Sequence, residues 1–206
     1  MLHRASALGH TDALKCLIEH TGCKPDMLNS SLATPLHHAC REGHEDTAKF
    51  LIGCGVDVNM QDDMGQTCLL LCCIHRHTNL AQILIESSIA GHTPEPLDIN
   101  QKDLRGLTAM NCAAIIGDLD LIKILYEKGG ADLEVESPKG CTPLLFAARG
   151  TNVDLIKYLL EKKVNTLKQD NSGGTVAHHA VDKGQLQIIN ALIEYSVDLD
   201  IPNNYG

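Results

Sequence analysis

The amino-acid sequence predicts an all-α solenoid of six stacked helix-turn-helix units with short β-hairpin-like fingers. A segment with the pattern T-P-L-H recurs in more or less altered form, and the threonines that open its five copies are 33, 41, 34 and 33 residues apart. A pair of apolar residues recurs behind each copy and once before the first. These pairs are Leu17-Ile18, Leu51-Ile52, Leu84-Ile85, Ile124-Leu125, Leu159-Leu160 and Leu192-Ile193. A unit this short can bury its apolar face only against its neighbours, so the units must stack.

The first helix of each unit begins at the threonine, as the second unit shows most clearly. The Thr34 hydroxyl can accept a backbone N–H from the first turn of the helix. Pro35 follows at the first helical position, where its missing N–H costs no helical hydrogen bond. Leu36 and Ala39 have the spacing of residues on one buried helix face. Gly43 then permits the left-handed backbone that ends a short helix.

A second helix and a finger complete the unit. The helix starts near His44 and carries Ala48, Leu51 and Ile52 on its buried face. Residues 53–55 stop it with two glycines, and the chain then enters a finger that turns near residues 62–65. The finger turns of successive units contain Gly65, Gly106, Gly140 and Gly173. Glycine suits these turns because it adopts positive φ without steric cost.

A period of about 33 residues that carries T-P-L-H-x-A resembles the ankyrin repeat. The resemblance covers essentially the whole chain, which is expected to be a single array over residues 1–206 and part of a longer protein. The approximate units are 1–33, 34–66, 67–107, 108–141, 142–174 and 175–206. In this family the motif histidine, here His3, His37 and His178, ties adjacent units together and plays no catalytic part.

Four places depart from the repeat. Arg76 and Lys163 stand where a glycine is expected, which predicts strained or altered turns. Leu32 replaces the glycine of the first complete finger, which predicts an irregular finger. Residues 86–96 form an insertion with two prolines and a glycine, typical of a surface loop. The insertion is either a partner contact or a tolerated difference in length.

Composition limits the compartment and the class of partner. The formal net charge of −9 argues against nucleic acid as the main ligand, because binding to phosphates needs clustered Lys and Arg. Nine cysteines occur without a single C-x-x-C pair. Their odd number and their placement at core positions indicate reduced thiols in a cytoplasmic or nuclear compartment. The sequence contains no apolar run long enough for direct membrane insertion.

The sequence offers little for chemistry. Cys68, Cys72 and His75 lie along one helix with a spacing that a soft divalent ion could use. Core packing is the favoured interpretation, because Cys72 falls at a buried position and a fourth ligand is missing. No nucleophile elbow, phosphate-binding loop or H-E-x-x-H helix appears. We therefore predict a protein that is not an enzyme, with no catalytic residues, no cofactor and no metal.

Binding is the activity that the resemblance implies. Ankyrin arrays place partner contacts on a concave face built from fingers and first helices, and a protein or peptide ligand is expected there. The predicted partner-binding residues are Arg41, Met64, Gln66, Ile74, Leu104, Arg105, Leu107, Ile115, Lys139, Arg149 and Asn171. Their middle members form an apolar strip with basic residues at its flanks. The alternative is that Ile115 and Ile116 pack into the neighbouring helix layer.

Asn59 is a candidate modification site by the same resemblance. Leu51 lies eight residues before it, in the hairpin pattern that the asparaginyl hydroxylase of hypoxia signalling recognises in ankyrin repeats. The resemblance therefore implies β-hydroxylation of Asn59. The alternative is that the Asn59 side chain only braces the hairpin.

Two further functions stay open at this stage. In the first, the array is the arm of a larger enzyme or substrate receptor, such as a ubiquitin ligase or acyltransferase. In the second, it is the cytosolic array of an ion channel. Sequence beyond the array separates these alternatives, since an apolar stretch of about 20 residues favours the channel.

Overall fold

The computed structural model describes residues 1–204 and consists of twelve helices arranged as six hairpins. They are α1 (Leu2–Ala7), α2 (Thr11–Thr21), α3 (Pro35–Glu42), α4 (Glu45–Gly53), α5 (Cys68–Ile74), α6 (Thr78–Ile89), α7 (Ala109–Ile116), α8 (Leu119–Lys123), α9 (Pro143–Ala147), α10 (Val153–Glu161), α11 (Val176–Asp182) and α12 (Leu186–Glu194). Residues 1–204 contain no strand. The prediction of an all-α solenoid with six helical hairpins is confirmed. Tyr205 and Gly206, the last two residues of the predicted sixth unit, lie outside the described residues.

The helices form two layers. In the first layer α1 packs on α3, α3 on α5, α5 on α7, α7 on α9 and α9 on α11. In the second layer α2 packs on α4, α4 on α6 and α10 on α12. One continuous apolar core runs between the layers and includes the fully buried Leu36, Leu51, Met110 and Leu121. The longest helix, α6, has 12 residues, and no helix in the described chain is long and apolar enough to cross a membrane.

The threonines cap the first helices as predicted. Thr34, Thr67, Thr108, Thr142 and Thr175 each accept the backbone N–H of the residue three positions later. His37 also joins its helix to the finger of the same unit (residues 34–66), and its partners do not lie in an adjacent unit. Its Nδ1 accepts the Thr34 N–H at 3.1 Å, and its Nε2 donates to the Met60 carbonyl at 3.0 Å. The structural role of this histidine is confirmed.

Asn111 reproduces most of the histidine geometry with a shorter side chain. Its Oδ1 accepts the Thr108 N–H at 3.2 Å, and its Nδ2 donates to the Val135 carbonyl at 3.1 Å. Leu70 and Leu145 occupy the same position in the third and fifth units and are buried. A leucine supplies packing but has no polar atom for this tie.

The three residues that replace glycine all adopt left-handed backbone. The φ angles are 55° for Leu32, 61° for Arg76 and 59° for Lys163. Since this region is unfavourable for residues with a Cβ atom, the turns at Arg76 and Lys163 are strained, as predicted, but they keep the backbone hydrogen bonds of the glycine turns and are not altered.

The irregular finger predicted at Leu32 is wrong. The Asn29 N–H donates to the Ala33 carbonyl at 3.0 Å, and the Leu32 N–H donates to the Asn29 carbonyl at 3.1 Å. The other fingers are closed by the same pair of backbone hydrogen bonds. The Asn29 side chain also accepts the N–H groups of Ser31 and Ala33. These four hydrogen bonds hold the turn in shape although its fourth residue is not glycine.

The fourth unit departs from the expected second helix. A π-helical turn over Ile124–Lys128 continues α8, and Leu125 is buried while Ile124 is only half-buried. The Gly129 N–H donates to the Ile124 carbonyl at 3.2 Å, five residues back. This unit is one residue longer than the usual 33, and the wider turn accommodates the additional residue.

The other predicted apolar pairs are buried in the middle of the array and less so at its ends. Both members are buried in the pairs that start at Leu51, Leu84 and Leu159. Leu17 and Ile18 in α2 are only half-buried, and Ile193 in α12 is 57% exposed. The prediction of a fully buried pair is therefore wrong in α2 and α12, because a second-layer helix in the interior has neighbours on two sides.

Candidate binding face

The fingers are joined to one another by backbone hydrogen bonds. The N–H group of the second residue in a finger turn donates to a carbonyl of the preceding finger. These bonds run from Asp63 to Ser31 (2.9 Å), from Leu104 to Met64 (3.1 Å), from Asn171 to Lys139 (3.0 Å) and from Asn204 to Ser172 (3.3 Å). Pro138 occupies this position in the fourth unit and has no N–H to donate. Its ring packs instead against Gly106, so this junction lacks the hydrogen bond that the others have.

A buried carboxylate closes most of the finger turns. One oxygen of Asp103 accepts the N–H groups of Arg105 and Leu107, both at 2.9 Å. Asp62 and Asp170 accept the equivalent pairs of N–H groups in their own fingers. Burial opposes ionisation of Asp170, but hydrogen bonds from Ser172 and Gly174 hold its pKa below the usual value.

Partly exposed arginines form ion pairs with these finger carboxylates. Arg105 binds Asp103 through Nε and Nη2, both at 2.8 Å. Arg41 in α3 reaches Asp62 at 3.5 Å, and Arg149, which follows α9, reaches Asp170 at 3.6 Å. These contacts place the carboxyl ends of first helices beside the fingers. We call the exposed surface formed by the fingers and these helix ends the inner face.

The middle of the inner face exposes apolar side chains. Met64 is 53% exposed, Leu104 77% and Ile115 47%. Ile74 and Leu107 are half-buried and pack against the core. Met64 and Leu104 lie on neighbouring fingers that a backbone hydrogen bond joins. Of the two interpretations for the isoleucines of α7, burial in the helix layer fits Ile116, which is half-buried, better than Ile115.

The remaining predicted contact residues differ in exposure and in whether they make hydrogen bonds within the array. Lys139 is exposed at the tip of its finger. Asn171 is also exposed, but its Nδ2 donates to the Pro138 carbonyl at 3.1 Å and thereby braces two fingers. Gln66 is half-buried, and its backbone carbonyl accepts a hydrogen bond from His37.

Asn59 bridges two units on another part of the surface. Its Nδ2 donates to the Pro96 carbonyl and its Oδ1 accepts the Asp98 N–H, both at 2.8 Å. Pro96 ends the inserted segment, so Asn59 anchors the insertion to the second unit. Both polar atoms of the side chain are thus engaged in structure.

The cysteines of α5 do not form a ligand set with His75. Cys68 and Cys72 are buried, and His75 is exposed. Burial raises the pKa values of both thiols, so they stay protonated and pack as small apolar groups.

Sequence reasoning missed a different cluster, formed by Cys141, Asp170 and His179. Their three potential ligand atoms lie within 4.8 Å of one another. A signal was present, because Asp170 opens a D-x-x-G finger turn and His179 follows the cap threonine by four residues. Their proximity to Cys141, which is 29 and 38 residues away along the chain, depends on stacking.

Comparison with known proteins agrees with the repeat architecture of the structure. A sequence model described as ankyrin repeats (3 copies) matches residues 1–62, 48–137 and 112–203. The chain is 29% identical over 179 residues to the B-cell lymphoma 3 protein homolog of Mus musculus and 28% identical over 206 residues to the B-cell lymphoma 3 protein of Homo sapiens. These matches cover 86% and 98% of this chain but only 39% and 44% of the relatives. The chain thus spans less than half the length of these curated relatives.

Solved structures agree in fold over nearly the whole chain. The ankyrin repeat domain of Bcl-3, described as a unique member of the IkappaB protein family, is 27% identical with a TM-score of 0.85 and is matched over 89% of its length by 99% of this chain. The human ASB11 ankyrin repeat domain is 27% identical with a TM-score of 0.84 and is matched over 87% of its length by all of this chain. With the sequence model matching across residues 1–203 and the same helical architecture, the chain belongs to the ankyrin-repeat family.

Proposed function

We propose that the protein is a non-catalytic interaction module that binds a partner protein or peptide across its inner face. The observation that carries this proposal is the exposure of three apolar side chains, Met64 and Leu104 on two joined fingers and Ile115 near the end of α7. Exposed apolar side chains with charged residues at their rim are typical of a protein-binding site.

We expect the apolar side chains in the middle of the inner face to supply most of the binding free energy. Burying one such side chain completely is worth about 1.5–3 kcal/mol. Arg41 and Arg149 are partly neutralised by their carboxylates, and exposed ion pairs contribute little. We therefore assign binding energy to the apolar positions, and orientation and encounter to the arginines and to Lys139.

Rigidity also supports this function. Hydrogen bonds join most neighbouring fingers, and buried aspartates fix the turns. A face held this way loses little conformational entropy when a partner binds. Gln66 and Asn171 contribute through this framework, and Ile74 and Leu107 provide the half-buried floor of the strip.

The experiment compares partner recovery by the wild-type chain and by a Leu104→Asp, Lys139→Glu variant, with proteins quantified by mass spectrometry. Both side chains are exposed, so the variant should remain folded. Leu107 and Arg105 are poorer choices because Leu107 packs on the core and Arg105 is bound to buried Asp103. We expect specific partners to be lost by about tenfold or more, as for central interface residues.

Ile193→Asp provides the matched control. Ile193 is 57% exposed in α12, in the second helix layer, and carries the same change from an apolar to an acidic side chain. Partners should bind this variant as they bind wild type. Equal recovery by all three proteins would contradict a binding role for the inner face.

The partner class and the compartment belong to the same proposal. We propose a protein or peptide ligand rather than nucleic acid, because the chain has a net charge of −9. All nine cysteines are free, which supports a reducing cytoplasmic or nuclear location.

We also propose Asn59 as a hydroxylation site. Leu51 precedes it by eight residues and is fully buried. Because the Asn59 side chain holds Pro96 and Asp98, the hairpin must open before an enzyme reaches its β-carbon. Intact-mass analysis after incubation with an ankyrin-directed asparaginyl hydroxylase should show a gain of one oxygen atom. An Asn59→Gln variant should gain none, and an unshifted wild-type mass would refute the assignment.

A further inference from the structure

Three side chains of different units meet behind the finger that ends at Gly174. Cys141 is the last residue of the fourth unit, Asp170 opens the finger turn of the fifth, and His179 lies in α11 of the sixth. Cys141 and His179 are buried, and the Asp170 side chain is only 7% exposed. Nitrogen, oxygen and sulfur atoms of these residue types are the ligands that zinc takes in proteins.

The distances suit a small tetrahedral ion. Asp170 Oδ2 lies 3.0 Å from His179 Nε2 and 4.0 Å from Cys141 Sγ. Ligand atoms around tetrahedral Zn²⁺ are about 3.3–3.6 Å apart, given metal–ligand bonds of about 2.0–2.3 Å. Cys141 Sγ and the His179 ring nitrogen lie within 4.8 Å of each other, so they have to approach by up to about 1.3 Å for all three atoms to share one coordination shell.

Arg149 marks the fourth corner of this arrangement. Its Nη2 lies 3.6 Å from Cys141 Sγ, 3.6 Å from Asp170 Oδ2 and 3.4 Å from His179 Nε2. These separations resemble those between ligands of a tetrahedral ion. A guanidinium nitrogen thus occupies the corner that a water ligand would take, and it is the cation that the three groups now face.

Arg149 can leave this corner more easily than the other three groups. Its side chain is 38% exposed, and its guanidinium also lies 5.9 Å from the Phe146 ring centroid, outside the triad. The groove around the site, of about 350 Å³, is open to solvent and is bordered by Ser172 and Asp182. An ion can therefore enter as Arg149 turns outward.

The other junctions of the array lack this combination. At the positions of Cys141, Asp170 and His179, the preceding junctions carry Ala33, Asp62 and Leu71, then Gln66, Asp103 and Cys112, then Leu107, Ser137 and Phe146. Gly174 also makes room for the triad, because a Cβ atom there would lie 3.2–3.4 Å from atoms of Asp170 and His179. Asp170 has framework counterparts in Asp62 and Asp103, so it is the combination with Cys141 and His179 that the framework does not require.

We propose that Cys141, Asp170 and His179 form a site for a soft divalent cation such as Zn²⁺, with Arg149 as the resident cation that the metal displaces. Water completes the tetrahedron. The site joins the fourth, fifth and sixth units, so a bound ion stabilises this end of the array.

The protonation states fit this exchange. Burial and the Arg149 charge lower the pKa of His179, so its ring is neutral near pH 7 and can offer a lone pair. Burial raises the pKa of the Cys141 thiol. The thiol is therefore protonated at rest and releases one proton to solvent when its sulfur binds the ion.

The test is a Co²⁺ titration of the full chain, followed by its thiolate-to-metal absorption band, and a Zn²⁺ competition against a chromophoric chelator. The exposed Cys16 and Cys54 and the half-buried Cys23 are first changed to serine, so that surface thiols do not contribute. We expect one ion per chain, a thiolate band and the release of one proton. Arg149→Gln should tighten binding by about tenfold or more, because a nearby positive charge is removed.

Cys141→Ser and His179→Gln serve as paired variants. The first should abolish the thiolate band, and the second should weaken affinity while the band persists at higher metal concentration. Circular dichroism without metal verifies that each variant is folded. The proposal is overturned if the parent protein and Arg149→Gln show no thiolate band, or if the band survives Cys141→Ser. In that case the four residues form only a structural hydrogen-bonded network.

Discussion

One backbone position carries a charged side chain in some units and an apolar side chain in others. The difference separates the two middle units of the array from the units on either side of them. Seven residues after the cap threonine, the second and fifth units carry Arg41 and Arg149, whereas the third and fourth carry Ile74 and Ile115. Both arginines pair with a finger aspartate. Ile115 is 47% exposed, and Ile74 is half-buried against the core. The scaffold is built by caps and turns elsewhere, so this position is free to vary, and we propose that it influences what the inner face binds.

A second contrast lies in the fingers themselves. Asp103 closes its turn with two hydrogen bonds to backbone N–H groups, whereas Ser137 accepts only the Cys141 N–H, at 3.2 Å. The finger of Ser137 also carries Pro138, which cannot donate to the preceding finger. The junction between the third and fourth units is thus less strongly held than its neighbours, although it lies beside the apolar strip.

The difference between the Asp103 and Ser137 fingers gives the largest expected effect, a change in the free energy of unfolding. Asp103→Ala should lower the free energy of unfolding by about 2–3 kcal/mol, because two backbone N–H groups lose their partner. Ser137→Ala should cost about 1 kcal/mol, since only one is lost. Urea denaturation of both variants beside wild type measures the difference. Equal losses would mean that the two fingers are closed equally well.

The contrast between isoleucine and arginine predicts a change in binding. Ile115→Arg makes the middle of the inner face resemble its flanks, and should weaken binding of a partner recovered with wild type by about tenfold. Ile193→Arg introduces the same charge on the second layer and should leave affinity unchanged. Titration calorimetry measures both, and equal affinities would remove Ile115 from the binding surface.

The reverse substitution should have a smaller effect. Arg149→Ile removes a partly exposed ion pair with Asp170 and should lower the free energy of unfolding by about 0.5–1 kcal/mol. Arg41→Ile tests the equivalent pair with Asp62 and should cost a similar amount. Thermal unfolding at low and high salt is informative, because added salt should reduce the difference from wild type. A larger loss at high salt would argue against an electrostatic origin.

The smallest expected change concerns Pro138. Pro138→Ala restores an N–H that can donate to the Arg105 carbonyl, worth about 1 kcal/mol, but loses about 0.4–1 kcal/mol of rigidity in the unfolded chain. The free energy of unfolding should therefore change little. Hydrogen exchange should nevertheless show a protected amide at residue 138. Rapid exchange there would indicate that the two fingers stay unbonded.

Local rules explain where sequence prediction was reliable. The threonine caps and the strained turns at Arg76 and Lys163 follow from residues close in sequence, and the His37 contact was recognised from the repeated motif. Prediction failed at Leu32, which was expected to disturb its finger. The Asn29 side chain accepts the N–H groups of Ser31 and Ala33 and keeps the turn regular, a local contact that the missing glycine did not indicate.

The candidate face was predicted less completely than the fold. Exposed Leu104 and half-buried Leu107 cannot be distinguished by residue type, since their exposure depends on how one finger lies against the next. The additional residue of the fourth unit was visible in the period, but not its accommodation as a π-helical turn over Ile124–Lys128.

The sequence by itself determined the repeat, its helices and its turns, because caps and glycine positions act over three or four residues. Tertiary structure alone decided which side chains are exposed on the inner face and which meet across units. Cys141 and His179 are 38 residues apart along the chain, and only the stacking of three successive units brings them to the same carboxylate. Distances of this kind depend on packing between units, which a periodic pattern indicates but does not specify.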